Sequence, residues 1–159
     1  MNEHFLDLFR YNAWATQNIL DVLKSLVETA ATDDGHAAAL SEALGLMSHI
    51  QRAEIIWMDR IHGQGTRVAV WESDALAVCI ERAEAHTRAW MDLVAQATAE
   101  DFERPIHYTS TKGTPYTSTL RQIATHIVNH GTHHRGQITR LLRQASITPP
   151  LTDYIFYAR

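Results

Sequence analysis

The stretch Leu120-Arg121-Gln122-Ile123-Ala124-Thr125-His126-Ile127-Val128-Asn129-His130-Gly131-Thr132-His133-His134-Arg135-Gly136-Gln137-Ile138-Thr139-Arg140-Leu141 decides how this chain folds. Leu120, Ile123, Ile127, His130, His134, Ile138 and Leu141 are separated by 3, 4, 3, 4, 4 and 3 residues, the steps of one helical face. Two histidines therefore stand where a packed helix wants leucine. Imidazoles four residues apart lie on one face, about 6 Å apart along the axis, within reach of a single ion.

Outward from this segment the chain is helical almost throughout. The last helical pattern runs from Ser118 to about Ala145, and Pro149-Pro150 separate it from a short aromatic tail, Tyr154-Ile155-Phe156-Tyr157. Before it, Pro105 to Thr117 is rich in threonine and tyrosine around a Lys112-Gly113 turn, which predicts a hairpin or an extended loop. A first helix, carried by Phe5, Leu8, Phe9, Asn12, Thr16, Ile19, Leu23, Leu26 and Val27, is expected to end near Glu28. A second is expected from Ala37 to about Ile61, and a third from a Ser73-Asp74 cap to about Ala99. Four long helices predict an all-α bundle, with a single domain over residues 1–159.

Two ligands leave a divalent ion incomplete, and a facing helix must supply a third. His49 aligns with Leu46, Ala53 and Ile56 and so also lies on an apolar ribbon. His49, His130 and His134 could converge inside the bundle and leave a coordination position for water or substrate, as catalytic zinc sites do. Zn2+ suits three imidazoles, and Ni2+ suits them as well. The competing reading is that each inward histidine bonds a carbonyl or carboxylate and holds nothing. His126, a turn before His130, could be a fourth ligand or a base, but Ile127 fits the stripe better and His126 ranks as flanking, while His133 points about 100° away from His134.

Composition narrows the functional classes. With 159 residues and 45% apolar positions, the chain can build one core without disulfides or a structural metal. Fourteen basic against eighteen acidic residues give a net charge of -4, which argues against nucleic-acid and anionic-membrane partners. No apolar run is long enough to span a membrane, the first residues are acidic rather than signal-like, and Cys79 is alone, so the expected location is the cytoplasm. Cys79 reads as a packing residue, not a nucleophile.

The run His126-Ile127-Val128-Asn129-His130-Gly131-Thr132-His133-His134-Arg135-Gly136-Gln137 closely resembles the signature of the DinB/YfiT-like family of metalloenzymes. Tyr11-Asn12-Ala13-Trp14-Ala15, and His49-Ile50 followed by Glu54 and Trp57, extend the resemblance over essentially the whole chain. It implies a four-helix bundle of up-down-down-up order and a divalent metal held by His49, His130 and His134. It also implies a thiol-dependent transferase or isomerase acting on a small electrophile, with a low-molecular-weight thiol such as bacillithiol or mycothiol, and a homodimer. Thr16 stands where the family often has asparagine. The alternatives are a metal-dependent hydrolase, or a metal- or small-ligand-binding stress protein without turnover.

The remaining polar residues carry expectations of their own. Asn12 is read as a satisfied buried amide, with orientation of a ligand histidine as its alternative role. Arg135 is expected in solvent, with a carboxylate partner or an anionic substrate as its alternatives, and Glu54 in a surface ion pair, with proton transfer as the other role for Glu54 and His126. His4, His36, His62, His86 and His107 are read as surface histidines. Gly131 and Gly136 each cost a helix about 1 kcal/mol relative to alanine; a close helix approach or ligand access would offset that, and the alternative is a tolerated glycine without a role.

Overall fold

A computed structural model describes residues 2–159. In chain order the elements are α1 (Asn2–Ala30), α2 (Asp34–Ile61), α3 (Leu76–Gln96), α4 (Ala99–Glu103), β1 (Pro105–Thr109), β2 (Pro115–Thr119), α5 (Leu120–Gln144) and α6 (Tyr154–Tyr157). The four long helices pack as a helical bundle. The strands form an antiparallel hairpin in which Tyr108 pairs with Tyr116, and Gly113 takes the left-handed conformation at its turn.

Local chemistry sets most boundaries. Asp33 caps α2 by accepting the His36 N–H at 2.9 Å. Thr119 caps α5 in a reciprocal box with Gln122, so the hairpin passes directly into the helix. The expected Ser73-Asp74 cap is not formed: α3 starts at Leu76, and its N-cap Ala75 offers no side-chain bond. The Asp74 carboxylate is instead taken by Arg52 and Arg82. The third helix also stops at Gln96, short of Ala99, because Thr98 begins α4 in a capping box with Asp101. Five residues are too few for a hydrophobic period, so α4 left no pattern to read.

Contacts between helices fix their directions. Asn2 donates to the carbonyl of Ala97, just beyond the end of α3, while Ile19 and Leu20 share a core with Cys79 near its start, so α1 and α3 are antiparallel. Gln51 donates to the Cys79 carbonyl at 2.7 Å and Glu54 meets His86, so α2 and α3 run the same way. Residues 62–75 must therefore carry the chain back along α2. Arg52 fastens this crossover to the helix, with Nε and Nη2 on the two Asp74 oxygens at 2.7 and 2.8 Å and Nη1 on Glu72 at 2.7 Å. Covered by the crossover and three helices, residues 47–54 of α2 are buried on every side.

The core divides in two. One half stacks Phe5 on Phe102 and Phe9 on Trp90, with Ile123 and Ile127 from α5. The other gathers Ile19, Leu20, Leu23, Met47, Ile50, Ile138 and Leu142. Between the halves each of α1, α2 and α5 carries buried polar residues at the same level: Asn12 and Thr16, then His49, Gln51, Arg52 and Glu54, then His134 and Arg135. This polar belt across an apolar bundle holds the candidate site.

Candidate metal centre

His49, His130 and His134 come together in the belt, α2 supplying the first and α5 the other two. One ring nitrogen from each lies within 4.8 Å of the others, and this group could hold a metal ion. Nε2 of His49 is 3.1 Å from Nε2 of His130. Tetrahedral coordination at zinc–imidazole lengths puts ligand nitrogens about 3.3 Å apart, a spacing close to that of the His49–His130 pair, while His134 lies within the 4.8 Å that bounds the group.

The outer ring nitrogens fix the tautomers. His49 Nδ1 lies 3.1 Å from the Val70 carbonyl, which only accepts, so Nδ1 carries the proton and Nε2 presents its lone pair inward. The His49 ring also stacks on Trp71, with centroids 3.7 Å apart. Both partners ride on the crossover that Arg52 clamps. His134 Nδ1 donates to Gln137 Oε1 at 2.7 Å, and the Gln137 amide nitrogen lies 3.3 Å from His133 Nε2. This again leaves His134 Nε2 facing inward as a bare donor.

The electrostatics favour neutral rings. Burial, followed by positive charge on His134, His49, His126 and His133, holds the His130 pKa down at about 3. Burial also lowers His49 and His134, although the Val70 and Gln137 contacts partly offset it. Neutral imidazoles are the ligating form.

A cavity of about 380 Å³ adjoins the triad, with His49 and His130 on its wall beside Trp57, Arg60, Tyr108 and His126. His126 is exposed and packs edge-on to Trp57 at 5.3 Å, outside the three-nitrogen cluster. His133 faces Gln137 and away from the cluster, as its helical angle requires. Cys79 is fully buried, and burial pushes its thiol pKa up, so it is no nucleophile.

Three expectations fail in the belt behind the triad. Arg135 is only 1% exposed, not solvated, and bonds Asn12 Oδ1 at 2.7 Å with Thr16 and Thr132 hydroxyls at 3.2 Å each. Glu54 is buried rather than at the surface, accepting from Asn12 Nδ2 and pairing with His86 Nδ1. His86 is accordingly half-buried rather than free in solvent. For Arg135 the reason is that α5 buries a second ribbon, Ala124, Val128, Gly131 and Arg135, beside the one that carries the histidines; Glu54 lies in the stretch of α2 that is covered all round, and it draws His86 inward with it. Asn12 is the satisfied buried amide expected, bridging Arg135 and Glu54 and touching no ligand histidine. Gly131 does permit a close approach: a Cβ there would lie 2.7 Å from Asn12 Oδ1. Gly136 has open space.

A helical bundle with an inward three-histidine cluster and an adjoining cavity defines a class of metal-site bundles. The sequence model of the DinB family matches residues 1–159, and the chain belongs to that family. It is similar to Protein DinB of Bacillus subtilis (strain 168), with 28% identity over 171 residues that cover 99% of this chain and 95% of the relative.

Proposed function

We propose that the chain is a divalent-metal-dependent enzyme, a thiol-dependent transferase or isomerase acting on a small electrophile, with His49, His130 and His134 as the metal ligands. The observation that carries this reading is the convergence of three neutral imidazoles, two with tautomers already set by Val70 and Gln137, beside a cavity of small-molecule size. Three nitrogen donors suit Zn2+ or Ni2+ and leave part of the coordination sphere for a ligand. Such an ion lowers the pKa of a thiol or water bound to it and so supplies a nucleophile near neutral pH.

The chain's own residues do the rest. Val70 and Gln137 hold two imidazoles in register, Trp71 covers one face of His49, and the cavity positions the electrophile next to His49 and His130. The free thiol supplies the sulfur, which accounts for a site with no reactive cysteine of its own. No described helix is long and apolar enough to cross a membrane.

Elemental analysis of untagged protein, with transfer of a low-molecular-weight thiol to a chromogenic electrophile, tests the reading. Near-stoichiometric zinc or nickel and turnover that disappears in His130→Ala support it. Absence of metal after incubation with Zn2+ and Ni2+ overturns the ligand assignment, and metal without turnover across broad thiol and electrophile panels overturns the enzymatic one.

A further inference from the structure

Arg60 stands in the wall of the triad cavity with its charge unanswered. Its guanidinium carbon sits 4.5 Å above the Trp57 ring and 5.0 Å from the Tyr108 ring. Among the described residues it makes no ion pair, and its Nε is buried without a hydrogen-bond partner. Arg60 is half-buried; the fully buried arginines nearby differ, since Arg52 holds Asp74 and Glu72, and Arg135 holds Asn12 and two threonines. Because Nε is enclosed, a molecule in the cavity can meet this guanidinium only through its terminal nitrogens, which have no carboxylate among the described residues to answer them.

Cation–π contact uses the face of a guanidinium and leaves its edge for a planar anion, the geometry that makes arginine select carboxylates. Ala53, Ile56 and Trp57 line the same cavity and suit a flat apolar body. Ser110 and Thr111 add hydroxyl-bearing residues from the hairpin side. His49 and His130 lie on the wall too, so a molecule seated on Arg60 meets the proposed metal face. We infer that Arg60 is a substrate-binding residue that takes the carboxylate of a small aromatic or unsaturated carboxylic acid, with Trp57 and Tyr108 holding the guanidinium in place. This deepens the functional reading above and rests on it for the word substrate, but the anion contact can be tested without any ion.

Calorimetric titration of benzoate, and of benzamide as its neutral isostere, into chelator-treated and zinc-loaded protein provides the test. The expected result is saturable benzoate binding in both forms, benzamide weaker by about tenfold or more, and a similar loss of benzoate affinity in Arg60→Gln with benzamide unaffected. In the unaltered protein the Arg60 Nε–H resonance should shift with benzoate at concentrations where benzamide leaves it unmoved. That measurement decides the matter should Arg60→Gln fail to fold. The inference is overturned by equal binding of the two probes, by benzoate affinity unchanged in Arg60→Gln, or by no binding at millimolar benzoate. It is also overturned by benzoate binding that needs zinc and leaves the Arg60 signal unmoved, since the carboxylate then sits on the ion. A protein that takes up no metal yet binds benzoate through Arg60 refutes the metalloenzyme reading and keeps the anion subsite.

Discussion

Gly131 and Gly136 lie five residues apart in one helix, and alanine at each should move stability in opposite directions. Gly136 is exposed with nothing within 4 Å of a built Cβ, so Gly136→Ala should gain the helix-propensity difference, about 1 kcal/mol. At Gly131 the same methyl would lie 2.7 Å from Asn12 Oδ1 and 2.8 Å from Arg135 Nη1. Those are side-chain ends, which ordinarily yield, but here they bond each other at 2.7 Å with Arg135 only 1% exposed. Separating them breaks a hydrogen bond to a buried cation, a loss of about 1.5–3 kcal/mol. Set against the propensity gain of about 1 kcal/mol, Gly131→Ala should destabilise by about 0.5–2 kcal/mol. For a chain of this size each kcal/mol moves Tm by roughly 2–4 °C. Thermal melts in the presence of chelator, which keeps ligand effects from His130 and His134 out of the comparison, should therefore show Gly136→Ala melting higher than the parent and Gly131→Ala lower. A Tm raised equally by both substitutions would refute the claim that the Arg135–Asn12 contact is rigid and strained by any added atom.

Other outcomes follow from the site and the caps. Burial depresses the His49, His130 and His134 pKa values, so below the ordinary histidine range the unfolded chain binds protons that the folded chain refuses; chelator-treated protein should lose stability as pH falls from about 6.5 towards 3, seen as a falling Tm, and His130→Ala should flatten that slope. Bound metal should be released over the upper part of the same interval, measurable with a chromogenic chelator, because ligand imidazoles must stay unprotonated. Gln137→Ala frees His134 Nδ1 and should weaken metal affinity by about 10–100-fold in a competition titration while the bundle still folds. Thr119→Ala removes the cap on the Gln122 N–H and should cost about 1 kcal/mol in a urea melt, with metal affinity unchanged.

The helical face of α5 was readable because leucine, isoleucine and histidine mark it with regular steps, and the same rule found His49 on α2. The hairpin was readable from its threonines, tyrosines and the Lys112-Gly113 turn. Arg135 and Glu54 escaped because periodicity assumes one buried face per helix, whereas the middle of α2 is covered all round and α5 buries two adjacent ribbons. In such places a charged residue is buried with a partner far away in sequence: Asn12 and Arg135 are 123 residues apart. Val70 and Trp71 escaped for another reason. They lie in an irregular crossover whose position depends on the Arg52–Asp74 contact, and no local spacing encodes that. Arg60 ends an amphipathic helix where basic residues are ordinary, so only the structure reveals its want of a counter-charge.

His49 and His130 touch across 81 residues of chain. A cation gripping both would act as a removable cross-link, tying the first helical hairpin to the last long helix much as a disulfide would. By the entropy of closing a loop of that length, such a tie is worth about 4.5 kcal/mol against the unfolded chain. Metal supply would then govern the lifetime of the fold along with any chemistry at the ion, and a chelated pool of the protein would be the first to reach the protease.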